Sequence, residues 1–115
     1  MGGLLALVAA PRAAGVGCVV AICPARPAAL ADRIGDPWPR SFRLEDAVRD
    51  GTGIARGFWH ATGDMQVPWA STAALAGRAP HPRRLRIVLG GNHGSLQHDP
   101  RIQDETCEFL HTHLT

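Results

Sequence analysis

The sequence predicts an α/β protein: a three-stranded parallel sheet flanked by helices. Two observations carry this. A short, continuous, β-branched apolar run lies between Gly and Pro at "GVGCVVAICP", and "IARGFWHA" and "RRLRIVLGG", the latter ending in a Gly pair, are further strand candidates. Helix-forming stretches lie before, between and after them. The order helix, strand, helix, strand, helix, strand, helix is the alternation that builds parallel sheets through right-handed crossovers.

The elements follow in order. Leu4 to Ala9 are mostly good helix formers, and Pro11 stops the run. "GVGCVVAICP" is continuous and apolar, as a strand buried on both faces reads. "ARPAALADRIGDPWPR" holds a weak helical turn and then a Pro-rich loop. "SFRLEDAVRDG" reads as a short helix with Ser41 as N-cap and Gly51 as stop. "IARGFWHA" is the second strand. In "GDMQVPWASTAALAGRAP" a turn leads into a helix, with Pro68 in its first turn and Gly77 and Pro80 at its end. "RRLRIVLGG" is the third strand, and "NHGSLQHDP" is a loop. The chain closes on a helix with Ile102, Cys107, Phe109, Leu110 and Leu114 at roughly helical spacing.

Composition bounds the function. At 115 residues the chain makes one small domain, and 45% apolar content allows a core. A net charge of +2 is too small to suggest a nucleic-acid partner. Arg83, Arg84 and Arg86 read as a solvated strand entry. Three cysteines, Cys18, Cys23 and Cys107, form neither a disulfide framework nor a metal-ligand pattern. Free thiols in a reducing cytoplasm are the simplest account. Cys18 and Cys23 on one strand would stand roughly 16 Å apart, beyond disulfide reach. No charge precedes Arg12 in the chain and no apolar run approaches a membrane span, so neither a leader nor a membrane segment is expected.

In parallel sheets ligands bind beyond the carboxyl ends of the strands. Three loops meet there: those after Cys23, around Asp64, and around His93. Ends of neighbouring strands stand about 4.8 Å apart. An Asp and a His on adjacent ends can hydrogen-bond, the Asp fixing the ring's tautomer and stabilising its protonated form. A turn Asp and a solvated loop His fit the same pattern.

"HATGDMQVPW" and, after it, "RIVLGGNHGSLQHDP" with a terminal helix resemble the carboxyl-terminal part of α/β-hydrolase-fold serine hydrolases. The nearer likeness is to dienelactone-hydrolase-like and small esterase or peptidase-like members. Their acid follows a strand in a His-Gly-x-x-Asp-x-x-Val-Pro stretch, matched by His60 to Pro68 with Ala61 in place of Gly. Their histidine follows the next strand after a Gly-x-x-His turn, matched by Gly90, Gly91, Asn92 and His93. The resemblance implies Asp64 as acid and His93 as base. "MGGLLALVAA" is similar to the half of the nucleophile elbow after the serine. The resemblance thus implies that the nucleophile would precede Met1, that Met1 stands at the oxyanion position, and that the chain alone is inactive. It also implies a variable, cap-like segment over residues 26–54 and a strand missing beside Val16–Cys23. An open apolar edge there invites self-association or a partner chain. The implied substrate is an ester or amide, cleaved without a cofactor. A non-catalytic binding module using that edge is the alternative.

Other residues have plainer readings. Cys23 is conceivable as a substitute nucleophile in the site, and also as a buried strand cysteine. Ser71 and Ser95 read as capping or loop hydroxyls. His60 reads as a loop-anchoring hydrogen bonder. Neither the pair His93 and His98 nor the pair His111 and His113 has zinc spacing, so no metal is expected. Trp38, Trp59 and Trp69 fit either a pocket lining or core packing.

Overall fold

A computed structural model describes residues 2–25, 43–49 and 53–114. Among these residues four α-helices and three strands follow the expected order: α1 (Gly2–Ala9), β1 (Cys18–Ile22), α2 (Leu44–Arg49), β2 (Ala55–Ala61), α3 (Trp69–Arg78), β3 (Arg83–Val88) and α4 (Pro100–Leu114). The strands lie side by side in the order β1-β2-β3, and both pairings are parallel. The register sets Cys18 against Ala55 and Arg56 against Arg83.

The central strand explains the layers. Every residue of β2 is buried, because strands flank it on both sides and helices cover both faces. Phe58 points to the face covered by α1, α2 and α3, where it meets Leu4, Leu7, Val19, Leu44, Val48 and Leu75. Trp59 points to the other face and packs with Leu96, Ile102 and Phe109. This two-residue alternation is the pleat at work. Truncating either aromatic to Ala should cost about 3–5 kcal/mol.

Pro11 does not end the first helix abruptly. A 3₁₀ turn, Ala10–Arg12, takes Pro11 near its start, and Arg12 donates from its guanidinium to the Val8 carbonyl at 2.8 Å. Helix α3 starts one residue later than Pro68, which serves as its N-cap, and Gly77 lies inside it. Ser71 donates its hydroxyl to the Pro68 carbonyl at 2.8 Å and caps no backbone N–H. At α4 the side chain of Asp99 accepts from the Arg101 amide at 2.9 Å.

Two expectations need correction. β1 was expected to be buried on both faces, yet Cys18, Val20 and Ile22 are only half-buried. Among the described residues β1 has a strand on one side only, so its α4-facing side chains are less covered. In α4, Cys107 and Leu114 face solvent, while Ile102 and Phe109 are buried. Thr106 shares their face because the buried Trp59 indole donates to its hydroxyl at 2.7 Å. That buried N–H selects the helix face that supplies an acceptor.

Met1, the helical turn in 25–40, Trp38, Ser41 and most of segment 26–54 lie outside the described residues. The three cysteines are free. Among the described residues no helix is long and apolar enough to cross a membrane.

Candidate active site

Beyond β2 and β3 the chain stays zipped. The Thr62 amide donates to the Val88 carbonyl at 2.9 Å, and the Gly63 amide to the Gly90 carbonyl at 2.8 Å. The Thr62 hydroxyl accepts from the Gly90 amide at 2.8 Å. A Cβ on Gly63 would stand 2.1 Å from the Gly91 carbonyl oxygen, so only glycine permits this approach. Gly90 and Gly91 have φ of 79° and 69°, a left-handed path that turns the β3 loop back over the sheet.

This zip brings Asp64 and His93 together, with Nδ1 of His93 2.8 Å from Oδ2 of Asp64. The carboxylate is buried and fully engaged. Its Oδ1 accepts from the amides of Gln66 at 2.8 Å and Val67 at 2.9 Å. Its Oδ2 also faces Nε2 of His60 at 3.1 Å. Burial acts to raise the Asp64 pKa, but the His93 bond and the Val67 and Gln66 amides outweigh it and hold the carboxyl below its ordinary value. An ionised Asp64 makes His93 Nδ1 the donor. In the neutral ring Nε2 is then the nitrogen without a proton, and it has no hydrogen-bond partner among the described residues.

His60 does more than anchor a loop. The ring is fully buried. Its Nε2 lies 2.9 Å from the Val67 carbonyl as well as beside Asp64, and both are acceptors, so Nε2 carries the proton. Its Nδ1 then accepts from the Thr72 hydroxyl at 2.7 Å. Thr72, His60, Asp64 and His93 thus form one chain of hydrogen bonds. The likeness of "HATGD" to the family stretch marked His60's position in the sequence. Nothing marked Thr72, whose role depends on where α3 lands.

Cys23 also arrives at the site. It closes β1, donates its amide to the Trp59 carbonyl at 2.8 Å, and has φ of 49°. Burial, opposed by a backbone hydrogen bond at Ala61 and reinforced by the Asp64 carboxylate, pushes its thiol up to about 11. A thiol that donates to Asp64 is not primed as a nucleophile. Ser95 is spoken for as well: its hydroxyl accepts from the Asn92 amide at 2.9 Å and donates to the Asn92 carbonyl at 3.1 Å. Trp59 is core, and Trp69 is partly exposed on α3.

A cavity of about 430 Å³ opens beside the dyad, lined by Gly2, Gly3, Cys23 and His93 among others. The start of α1 therefore shares this cavity with the imidazole. A larger one, about 650 Å³, lies between the start of β3 and the end of α4, remote from the dyad. His93 and Cys23 face the smaller cavity.

No protein-family model matches the sequence, and no curated protein matches it either. Solved structures do. The chain superposes on the esterase domain of a Rhodothermus marinus protein with a TM-score of 0.82 at 17% identity, over 99% of this chain and 59% of that one. The α/β hydrolase GrgF from Penicillium sp. sh18 gives 0.76 at 14% identity, over 97% and 61%. The acylaminoacyl peptidase of Pyrococcus horikoshii gives 0.71 at 12% identity, over 98% and 23%. This chain thus spans about three fifths of the first two. At such identities the likeness establishes architecture: three parallel strands with helices on both faces, the fold of an α/β hydrolase over the part of it that this chain spans.

Proposed function

We propose that Asp64 and His93 are the acid and base of a serine-hydrolase site that cleaves an ester or amide through an acyl-enzyme. The observation that carries this is the His93–Asp64 hydrogen bond of 2.8 Å, with a buried carboxylate behind it and a cavity in front. In this mechanism Nε2 of His93 takes the proton of an attacking hydroxyl, and Asp64 stabilises the imidazolium that results. Among the described residues no hydroxyl is free beside Nε2. The proposed nucleophile is a serine encoded immediately before Met1. The first turn of α1 lines the same cavity as His93, which supports delivery from that direction. Met1 at the oxyanion position belongs to the same proposal. Residues 1–115 alone, a truncated form of this enzyme, are then inactive. No cofactor enters the reaction, and a cytoplasmic site of action fits the free thiols.

The test compares two proteins. Residues 1–115 should neither hydrolyse a chromogenic ester nor react with a fluorophosphonate. A longer protein that includes the upstream-encoded residues should be labelled at a serine. Its turnover should fall about 10³–10⁴-fold in His93→Ala. Turnover by the short chain that Cys23→Ala abolishes, or a longer protein indifferent to His93→Ala, would overturn the proposal.

A second reading, a non-catalytic interaction module, draws on the open side of β1. The amide of Ala55 reaches the Gly17 carbonyl and the amide of Cys23 reaches the Trp59 carbonyl. By alternation, Cys18, Val20 and Ile22 turn their amides and carbonyls away from β2. Such an edge supports pairing with another strand.

A further inference from the structure

We propose that Cys23, Asp64 and His93 together bind one divalent transition-metal cation of the zinc type. Each residue comes from a different strand end: β1, the loop after β2, and the loop after β3. Spacing along the chain therefore hides the set. Their ligand atoms, one each of sulfur, oxygen and nitrogen, all lie within 4.8 Å of one another. Around a tetrahedral zinc ion, bonds of about 2.0–2.3 Å put donors roughly 3.2–3.8 Å apart. Nδ1 of His93 and Oδ2 of Asp64 are already 2.8 Å apart. Bringing the widest pair from at most 4.8 Å to that spacing requires a shift of about 1 Å.

Three further observations support the site. Cys23 is the one described non-glycine residue with positive φ, at 49°. An L-residue held there is strained, and such strain clusters at functional positions. Here it accompanies a buried thiol placed against the Asp64 carboxylate. Asp64 has outer support from the Gln66 and Val67 amides and from His60, which fix its orientation as a ligand. A fourth position faces the cavity of about 430 Å³ that Cys23 and His93 line, leaving room for water or an exogenous ligand.

The charges balance. A thiolate and a carboxylate neutralise a 2+ ion, and the ion's field favours the thiolate. On binding, the S–H bond breaks and its proton leaves to solvent. The Nδ1 proton of His93 also leaves, and Nε2 takes one up, so Nδ1 presents its lone pair. No electron is transferred. In that form Nε2 is protonated and cannot act as a base. Metal binding and general-base catalysis are then mutually exclusive states of one site. The inference reuses the acid–base pair of the proposed function, but its readout needs no turnover, so the two can fail separately.

The test titrates residues 1–115 with Co2+, then displaces it with Zn2+. Expected are one cobalt per chain, the strong visible bands of tetrahedral cobalt, and a sulfur-to-cobalt charge-transfer band. Cys23→Ser should remove that band and weaken binding by more than about tenfold, as should Asp64→Asn for affinity. Cys18→Ser with Cys107→Ser should change nothing. Should Cys23→Ser fail to fold, the spectrum of the Cys18→Ser, Cys107→Ser protein, which retains Cys23 as its single thiol, decides alone. The absence of saturable binding, six-coordinate cobalt without a thiolate band, or binding indifferent to Cys23→Ser in a folded protein would each overturn the proposal.

Discussion

Asp64 concentrates the site's physics in one side chain. Five groups meet its two oxygens or its charge: two amides, two imidazoles and a thiol. Its carboxyl is held below the ordinary value although burial works the other way. A depressed folded pKa means that the ionised side chain stabilises the fold fully above the unfolded value of about 3.9. That contribution is lost as pH falls through the lower, folded value. Asp64→Asn should therefore cost about 2–3 kcal/mol at neutral pH. The gap to wild type should shrink as pH drops below about 4. Urea unfolding over a pH series checks this, and a gap constant down to the lowest pH would contradict it. Strand-end loops bring Asp64 and His93 near each other on the sequence alone, but it is the resemblance of "HATGDMQVPW" and "GGNH" that singles them out from a turn Asp and a solvated His. The loop after Cys23 was also placed at this end of the sheet; what the sequence did not show is the thiol's contact with the Asp64 carboxylate, which depends on β1 lying next to β2. Thr72 was invisible for the same reason: its partner, His60, is twelve residues away on another element.

At the scale of elements, the decisive contact is between two loops. Gly63 carries no Cβ because two backbone carbonyls, those of Gly90 and Gly91, occupy the space. Gly63→Ala should force the loops apart, destabilise the protein by about 2–3 kcal/mol and separate His93 from Asp64. Gly77 is a contrasting case. It lies inside α3, and a Cβ there meets nothing within 4 Å. Gly77→Ala should stabilise by about 0.5–1 kcal/mol. Thermal melts of the two variants should move in opposite directions, and a matching shift would refute the loop argument. The element order was readable because apolar runs and helix formers alternate plainly. The facing of α4 was less so. Cys107 and Leu114 satisfy helical spacing, but the helix presents Ile102, Thr106 and Phe109, where the Trp59 indole finds its acceptor. A requirement set by another element decided it.

The whole molecule is a three-layer sandwich whose sheet has β1 and β3 as its two edges among the described residues. The open backbone groups at Cys18, Val20 and Ile22 should make residues 1–115 associate as concentration rises. Val20→Pro removes an edge donor and spares the β1–β2 ladder, so it should return the chain to a monomer. Sedimentation velocity over a concentration series measures this, and a wild-type monomer at every concentration would count against it. The sheet's deeper consequence is that two adjacent parallel strands deliver a carboxylate and an imidazole to one point. The most direct check is nitrogen-15 and proton NMR of His93 in metal-free protein at neutral pH. A neutral ring protonated on Nδ1, with a strongly downfield Nδ1 proton that disappears in Asp64→Asn, is the expected result. A ring protonated on Nε2 alone, or a spectrum unchanged by Asp64→Asn, would contradict it.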